Sequence, residues 1–358
     1  MIRGKFSMLL LATLCAGAAN AGGAPSLTDA AIKQHLGLDF NGVVLTRASA
    51  AHKPVIRAFG MANMASGRAM RPDSPFQIGS VSKWITALAV LRLADQGKLE
   101  LDVPIGAYLP EMPAHSATTV TLRHLLSNSA GIPDGVMQEF KKNKAIADLR
   151  LSHLPAALRF AVGEPTFKPG SGWAYAPTTW VVVAAIIERV TGQSYAQAVE
   201  RLVLRPAKAF ETAVPAMPFK EMPNTTMAYR ASQPRQVHMS PHVVFVAASG
   251  TIHSTAADLA RLAKHAYETD FLSSAARVEL SRVMVPAQHY ALGGRMKTME
   301  LGGSMRTLAW ETGATGAFKS LLAYEPGKGT TVVILNNTDM DQSALDTAAQ
   351  SLLRAMAN

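Results

Sequence analysis

The sequence predicts an α/β (α+β) fold in which one antiparallel sheet, built from both chain ends, is flanked by helices and carries an inserted, mainly helical subdomain. Strand-like runs lie near both ends, whereas the middle, from about residue 101 to 240, is rich in helix and turn signals. Hydrophobic residues make up 48% of the 358 residues and charged residues 17%, which is a globular composition with enough apolar material for a large core.

The first elements follow from local patterns. Residues 27–36 read as a short helix, and the strand-like runs Gly42–Arg47 and Pro54–Phe59 are separated by a polar bend. The run Ser80–Gln96 is apolar on nearly every side and ends at Gly97. This pattern predicts a buried helix directly after the first strands.

The rest of the chain divides into a helical part and a terminal group of strands. Prolines between residues 206 and 241 predict a long irregular connection, and the Pro-Gly pair at 326–327 marks a turn between strands. The predicted helices are Thr178–Val190, Tyr195–Leu204, Ala256–Tyr267 and Asp341–Met356, and the predicted strands are Thr307–Glu311, Phe318–Tyr324 and Thr330–Asn336.

Residues 1–21 have the pattern of a cleaved signal peptide. Arg3 and Lys5 precede the apolar stretch Phe6–Ala19, and small residues flank the cleavage point after Ala21. The apolar stretch is too short for a helix that spans a bilayer, so we expect a periplasmic or secreted protein without a stable membrane span.

Cleavage would also remove Cys15, the single cysteine of the chain. Lipid attachment at Cys15 is the alternative, but Leu14 before it fits such a site poorly. Without cysteine, the mature chain would have no disulfide, no cysteine nucleophile and no thiolate metal ligand.

The chain is basic, with 35 Lys and Arg against 25 Asp and Glu and a formal net charge of +10. The basic residues are scattered, and no run exceeds Lys141-Lys142. We therefore expect no nucleic acid partner. Anionic cell-envelope polymers remain a candidate partner, and solubility alone is the simpler explanation of the charge.

Ser80 is the only serine with a lysine three residues later, Lys83. At the start of a helix these two positions share a face, so the lysine amine can reach the serine hydroxyl. A desolvated lysine can act as the base that activates a serine nucleophile, and the helix N-terminus favours a developing oxyanion. The alternative is a serine that caps the helix and a lysine on the surface.

The sequence around Ser80, FQIGSVSK at residues 76–83, resembles the serine β-lactamase-like family of class C β-lactamases, D-Ala-D-Ala carboxypeptidases, D-aminopeptidases and esterases. Further similar segments follow in the family's order, namely DVP (102–104), YLPE (108–111), TLRHLL (121–126), AGIP (130–133) and STAADL (254–259). The resemblance implies one β-lactamase/transpeptidase-like domain over 22–358, with a sheet subdomain at about 22–79 and 245–358 and a helical subdomain at about 80–244.

The family places a tyrosine over the nucleophile as a proton carrier, and Tyr175, which follows Pro169-Gly170, matches it. A tyrosine that merely packs at a helix entrance is the alternative. The family commonly has asparagine two residues after this tyrosine, whereas this chain has Pro177, whose side chain can neither donate nor accept a hydrogen bond.

The family's strand triplet, usually Lys-Thr-Gly or a histidine variant, corresponds here to Glu311-Thr312-Gly313. By the resemblance these residues line the substrate site, and the N–H of Ala314 joins that of Ser80 in an oxyanion hole. A glutamate reverses the charge that would attract a substrate carboxylate, unless Glu311 is protonated or paired with Arg295 or Lys319.

The combined interpretation is an exported serine hydrolase that forms an acyl-enzyme on an ester, amide or β-lactam carbonyl of a small-molecule or peptide-like substrate. Glu311 favours a neutral or cationic acyl donor, hence an esterase or D-amino-acid peptidase rather than an efficient β-lactamase. A catalytically impaired binding protein on the same fold is the alternative. No cofactor or metal is expected, since Pro241 separates His238 from His242, and no Gly-x-Ser-x-Gly or phosphate-loop motif is present.

Overall fold

The computed structural model describes residues 32, 34–37, 39–230, 232 and 235–357. The predicted signal peptide at 1–21 lies outside these residues. In the part described, residues 32 and 34–36 are helical and precede the first strand.

A six-stranded sheet, entirely antiparallel within the described residues, organises the molecule, with the strand order β2-β1-β10-β9-β8-β7. Strand β1 pairs with β10, so both ends of the chain meet in the middle of the sheet. The strands are β1 (Gly42–Arg47), β2 (Val55–Phe59), β3 (Met61–Asn63), β4 (Arg68–Ala69), β5 (Phe76–Gln77), β6 (His253–Ser254), β7 (Arg295–Leu301), β8 (Ser304–Thr315), β9 (Phe318–Tyr324) and β10 (Thr331–Asn336).

Helices dominate the middle of the chain and cover both faces of the sheet. They are α1 (Val81–Asp95), α2 (Ala114–Thr119), α3 (Leu122–Leu126), α4 (Gly135–Lys142), α5 (His153–Phe160), α6 (Pro177–Thr191), α7 (Tyr195–Val199), α8 (Ala247–Gly250), α9 (Ala256–Glu268), α10 (Ser274–Ser281) and α11 (Gln342–Ala357). In the described part of the chain, no helix combines the length and apolarity that a bilayer crossing requires.

The two faces of the sheet are buried by different helices. One face, with Val44, Trp310 and Ile334, packs against α11 and the helical residues before β1. The opposite face, with Leu45 and Phe318, belongs to a larger apolar cluster that also contains α1, α6 and α9. Helix α1 is therefore enclosed by apolar residues, as its sequence predicts.

The predicted fold class is confirmed, and most element predictions agree with the structure to within a residue or two. Strand β7 was not predicted, because it is an edge strand and three of its four exposed or partly exposed residues are charged. The predicted helix Tyr195–Leu204 is helical throughout, but its second half, Glu200–Leu204, is a π-helical turn rather than an α-helix.

Candidate active site

Ser80 lies at the junction between the sheet and α1. Ile78 is anchored on both sides, because its N–H donates to Ile252 O at 3.0 Å and its carbonyl accepts the Ser320 hydroxyl at 2.8 Å. Gly79 then turns the chain with φ +53°, and Ser80 is the N-cap of α1. The half-buried hydroxyl of Ser80 makes no capping hydrogen bond, which leaves it available for chemistry.

Lys83 lies one helical turn further on, with only 2% of its surface exposed. Its Nζ lies 3.3 Å from Ser80 Oγ and donates to the Ser249 carbonyl at 2.6 Å. Burial lowers the pKa of Lys83, and the nearby Tyr175 hydroxyl and Asp134 oppose this shift. A capping serine with a surface lysine therefore does not describe this structure.

Tyr175 faces the same amine from the loop before α6. Lys83 Nζ lies 4.6 Å from the centre of the Tyr175 ring. Tyr175 is 39% exposed, and the centre of its ring lies 5.9 Å from that of Trp173 and 6.4 Å from that of Tyr290. The structure thus brings together the predicted serine, lysine and tyrosine, whose catalytic roles remain a proposal.

Pro177 is the first residue of α6, where a missing N–H has no cost because the first N–H groups of a helix lack intrahelical partners. The departure from the family's asparagine is thus compatible with the local fold. It leaves the helix start without a side-chain amide that faces the site.

Strand β8 passes beside the start of α1 at closely packed positions. A Cβ on Gly79 would lie 2.6 Å from Ala314 N, and a Cβ on Gly313 would lie 2.0 Å from Ile78 O. Both contacts are possible only for glycine, so the backbone at Ser80 and Ala314 is held close together. Two N–H groups at such a junction are the arrangement that an oxyanion hole needs. Thr312 lies on β8 between Glu311 and Gly313 and is partly exposed.

Glu311 lies inside the molecule with 4% of its surface exposed, and its carboxylate occupies the space where Gly294 has no side chain. Burial raises its pKa to about 8, and Arg295 opposes this shift through its charge and a backbone hydrogen bond. At neutral pH Glu311 is therefore mainly uncharged and does not reverse the charge of the site. Arg295 and Lys319 are the two predicted candidate partners of Glu311. Arg295 is the one that acts on the carboxyl group, whereas Lys319 pairs with Ala314, three residues further along β8.

Two groups of this site were not predicted from the sequence. The Ser249 acceptor is a backbone carbonyl, and such an acceptor has no residue signature. Tyr290 is buried beside Tyr175, after a short turn, and carried no motif. His238 and His242 lie outside the helices, and no group of three or more potential metal ligands occurs among the described residues.

Comparison with known proteins gives the family. Residues 29–355 match the family model described as Beta-lactamase. The chain is 40% identical over 162 residues to Esterase EstB of Burkholderia gladioli, covering 42% of this chain and 41% of the esterase. It is 28% identical over 258 residues to Penicillin-binding protein 4* of Bacillus subtilis (strain 168), covering 66% of this chain and 54% of that protein. The chain therefore spans about half the length of these two relatives.

A solved structure supports the fold. The D-stereospecific amidohydrolase from Streptomyces sp. superposes with a TM-score of 0.73 over 92% of this chain and 97% of its own, at 23% identity. This likeness concerns the fold alone, whereas the family match extends over nearly all described residues. On these grounds the chain belongs to the Beta-lactamase family.

Proposed function

We propose that the protein is a serine hydrolase that forms an acyl-enzyme at Ser80. The observation that carries this proposal is the Lys83 amine 3.3 Å from the Ser80 hydroxyl, in a buried setting that lowers the lysine pKa. A neutral lysine amine can accept the serine proton, whereas a surface ammonium cannot. Membership of the Beta-lactamase family and the relative named an esterase support the same reaction class.

In the proposed reaction, Ser80 Oγ attacks the substrate carbonyl carbon and its proton passes to Lys83 Nζ. The oxyanion accepts hydrogen bonds from the Ser80 and Ala314 N–H groups. When the tetrahedral intermediate collapses, the bond to the leaving group breaks and that group takes a proton, which Tyr175 is placed to relay. Water then attacks the acyl-enzyme, releases the acid and restores Ser80.

Neutral esters are the proposed substrates, ahead of D-amino-acid amides and β-lactams. Two departures from the family pattern support this preference: Glu311 supplies no cation for a substrate carboxylate, and Pro177 supplies no donor for a substrate amide. An ester without either group loses nothing by these changes, whereas a β-lactam or a peptide loses binding energy at both positions.

The test combines labelling with a substrate comparison. A fluorophosphonate probe should add one label to the wild type and none to Ser80→Ala, and p-nitrophenyl acetate should be hydrolysed with a higher kcat/KM than nitrocefin. A label that persists in Ser80→Ala would remove Ser80 from the reaction, and a strong preference for nitrocefin would refute the ester preference.

A binding protein on the same fold is the second candidate, because Pro177 and Glu311 both change positions that the family uses for substrate. A folded wild type that takes no label from either a fluorophosphonate or a penicillin probe would favour this candidate. Label at Ser80 would favour the enzyme.

We also propose export to the periplasm or beyond the cell, supported by the signal-like pattern of residues 1–21. Fractionation of cells that express residues 1–358 or 22–358 tests this. Export that does not depend on residues 1–21, or retention of both chains in the cytoplasm, would contradict it.

A further inference from the structure

An apolar cavity of about 250 Å³ is lined by Ser249, whose carbonyl accepts a hydrogen bond from Lys83 Nζ. Its walls come from α4, from the turn after α4 and from the segment before α8, and include Val136, Phe140, Ile146, Val243, Phe245 and Val246. Among the described residues, no charged side chain lines it. The cavity is slightly smaller than the ~300–1,000 Å³ pockets that enclose drug-sized ligands, so it suits one group of a substrate rather than a whole molecule.

Three wall residues adjoin residues of the candidate site, so the cavity lies near the proposed reacting groups. Ser249 holds Lys83 Nζ through its carbonyl at 2.6 Å. Thr315 follows the proposed oxyanion donor Ala314 directly on β8, and Pro177 comes two residues after Tyr175. A carbonyl held at Ser80 between these residues therefore has the cavity within reach of one of its substituents.

Three of the four hydroxyl groups in the wall, those of Ser240, Ser249 and Thr315, are already paired with each other or with the backbone. Ser240 Oγ lies 2.6 Å from Thr315 Oγ1, and Ser249 Oγ donates to the Val246 carbonyl at 2.9 Å. A polar substrate group that enters the cavity would lose its hydrogen bonds to water and would find these three hydroxyl groups already engaged. An apolar group is stabilised by the same transfer from water.

We propose that this cavity is the acyl pocket and that it takes an unbranched, apolar acyl chain of a neutral ester. The proposal rests on the proposed function and specifies its substrate class. Pro177 then has a positive role, because its ring forms apolar wall at the position where an asparagine would present an amide. Substrate selection depends on the length of the acyl chain.

Gly250 offers a way to fill this pocket without disturbing its walls. It ends α8, lines the cavity, and has no heavy atom within 4 Å of an added Cβ. Among the described glycines with such free space, Gly250 is the one whose φ lies outside the left-handed region. A leucine there should enter the cavity without backbone strain.

The experiment measures kcat/KM for p-nitrophenyl acetate, butyrate, hexanoate and octanoate. For the wild type we expect a rise of about fourfold per added methylene until the pocket is full, followed by a plateau or fall. Gly250→Leu should lower the hexanoate-to-acetate ratio at least about tenfold. Phe140→Ala should move the optimum to longer chains, and Val278→Ala, at an exposed position of α10, should leave the ratio unchanged.

The outcomes separate this proposal from the proposed function. If Ser80 hydrolyses esters but the wild-type profile is flat, or if the ratio is the same in Gly250→Leu, the acyl pocket is refuted and the hydrolase stands. If no ester is hydrolysed, isothermal titration of hexanamide and acetamide into Ser80→Ala decides. Tighter binding of hexanamide that is lost in Ser80→Ala/Gly250→Leu supports the pocket, and equal binding refutes it.

Discussion

At the scale of single residues, Lys83 is the side chain whose environment matters most for the proposed chemistry. It is buried, held by the Ser249 carbonyl and close to Ser80 Oγ, so its position is fixed while burial disfavours its charge. This burial supports the proposed role of Lys83 as a base.

Replacing Lys83 by methionine should lower kcat/KM for an ester by about 10²–10⁴-fold, because the proposed general base is removed. The fold should persist, since methionine fills similar space, although the Ser249 carbonyl loses its hydrogen bond from Lys83 Nζ. In the wild type, kcat/KM should rise with pH as Lys83 loses its proton, with a midpoint below the ordinary lysine value of 10.5. The exposed Lys98 provides the control Lys98→Met, and equal losses in both variants would contradict this role.

The buried position of Glu311 should make the stability of the protein depend on pH. The pKa of Glu311 is raised from 4.5 to about 8, so between these values the folded state binds more protons than the unfolded state. With respect to this group, the free energy of unfolding is highest below pH 4.5, where Glu311 is protonated in both states. It falls as the pH rises to about 8, because the unfolded state loses the Glu311 proton first. Glu311→Gln should therefore stabilise the protein at pH 7 by about 3 kcal/mol and flatten the loss over this range.

Urea unfolding at pH 5, 7 and 8.5 measures this effect, with Glu300→Gln at an exposed position of edge strand β7 as the control. If the free energy of unfolding changes with pH in the same way in the wild type and in Glu311→Gln, Glu311 is not the group that causes the pH dependence.

The sequence predicted which residues meet at the site better than it predicted their electrostatics. Ser80 and Lys83 are three positions apart on one helix, so their proximity follows from local geometry. The charge state of Glu311 depends on Gly294 and Arg295, which lie across a strand pair that was not predicted. Such nonlocal burial has no signature in the residues around Glu311.

At the scale of elements, the contact between the start of α1 and β8 controls the proposed oxyanion hole. Gly79→Ala would place a Cβ 2.6 Å from Ala314 N and would force the two elements apart. We expect a loss of about 10²–10³-fold in kcat, comparable to the loss of one oxyanion donor. Kinetics with p-nitrophenyl acetate and thermal unfolding of the same sample measure the two effects.

Gly97→Ala is the matched control, because Gly97 also has a left-handed φ, +67°, but open space around it. It should cost only the backbone strain, about 1–2 kcal/mol of stability, with normal kcat. Equal kinetic losses in both variants would show that the close approach to Ala314 has no catalytic effect.

The elements themselves were predictable where one pattern dominates. The β-branched runs of β1 and β10 and the apolar helices α1 and α6 are buried on nearly all sides, so their sequences are continuous apolar runs. Strand β7 buries only Met296, Met299 and Leu301. Its other four residues, three of which are charged, are exposed or partly exposed and make its sequence resemble a surface segment. The order of the strands in the sheet is known from the structure and was not predicted.

At the scale of the whole molecule, one apolar cluster joins the sheet to the helical middle. It contains Leu45 of β1, Phe318 of β9 and Trp180 of α6. The division into a sheet subdomain and a helical subdomain at 80–244 stays a prediction, but a shared core of this kind favours unfolding as one unit.

Leu45→Ala should therefore destabilise the sheet and the helical middle of the chain equally. Leu45 is fully buried in β1, and its truncation should cost about 2–5 kcal/mol. Hydrogen exchange of the most protected amides of α6 and of β10 should report the same decrease, because both open only when the common core opens. Val55→Ala on edge strand β2, at a site 42% exposed, should change both by less than about 0.5 kcal/mol. A decrease confined to β10 would show instead that the helical middle unfolds independently of the sheet.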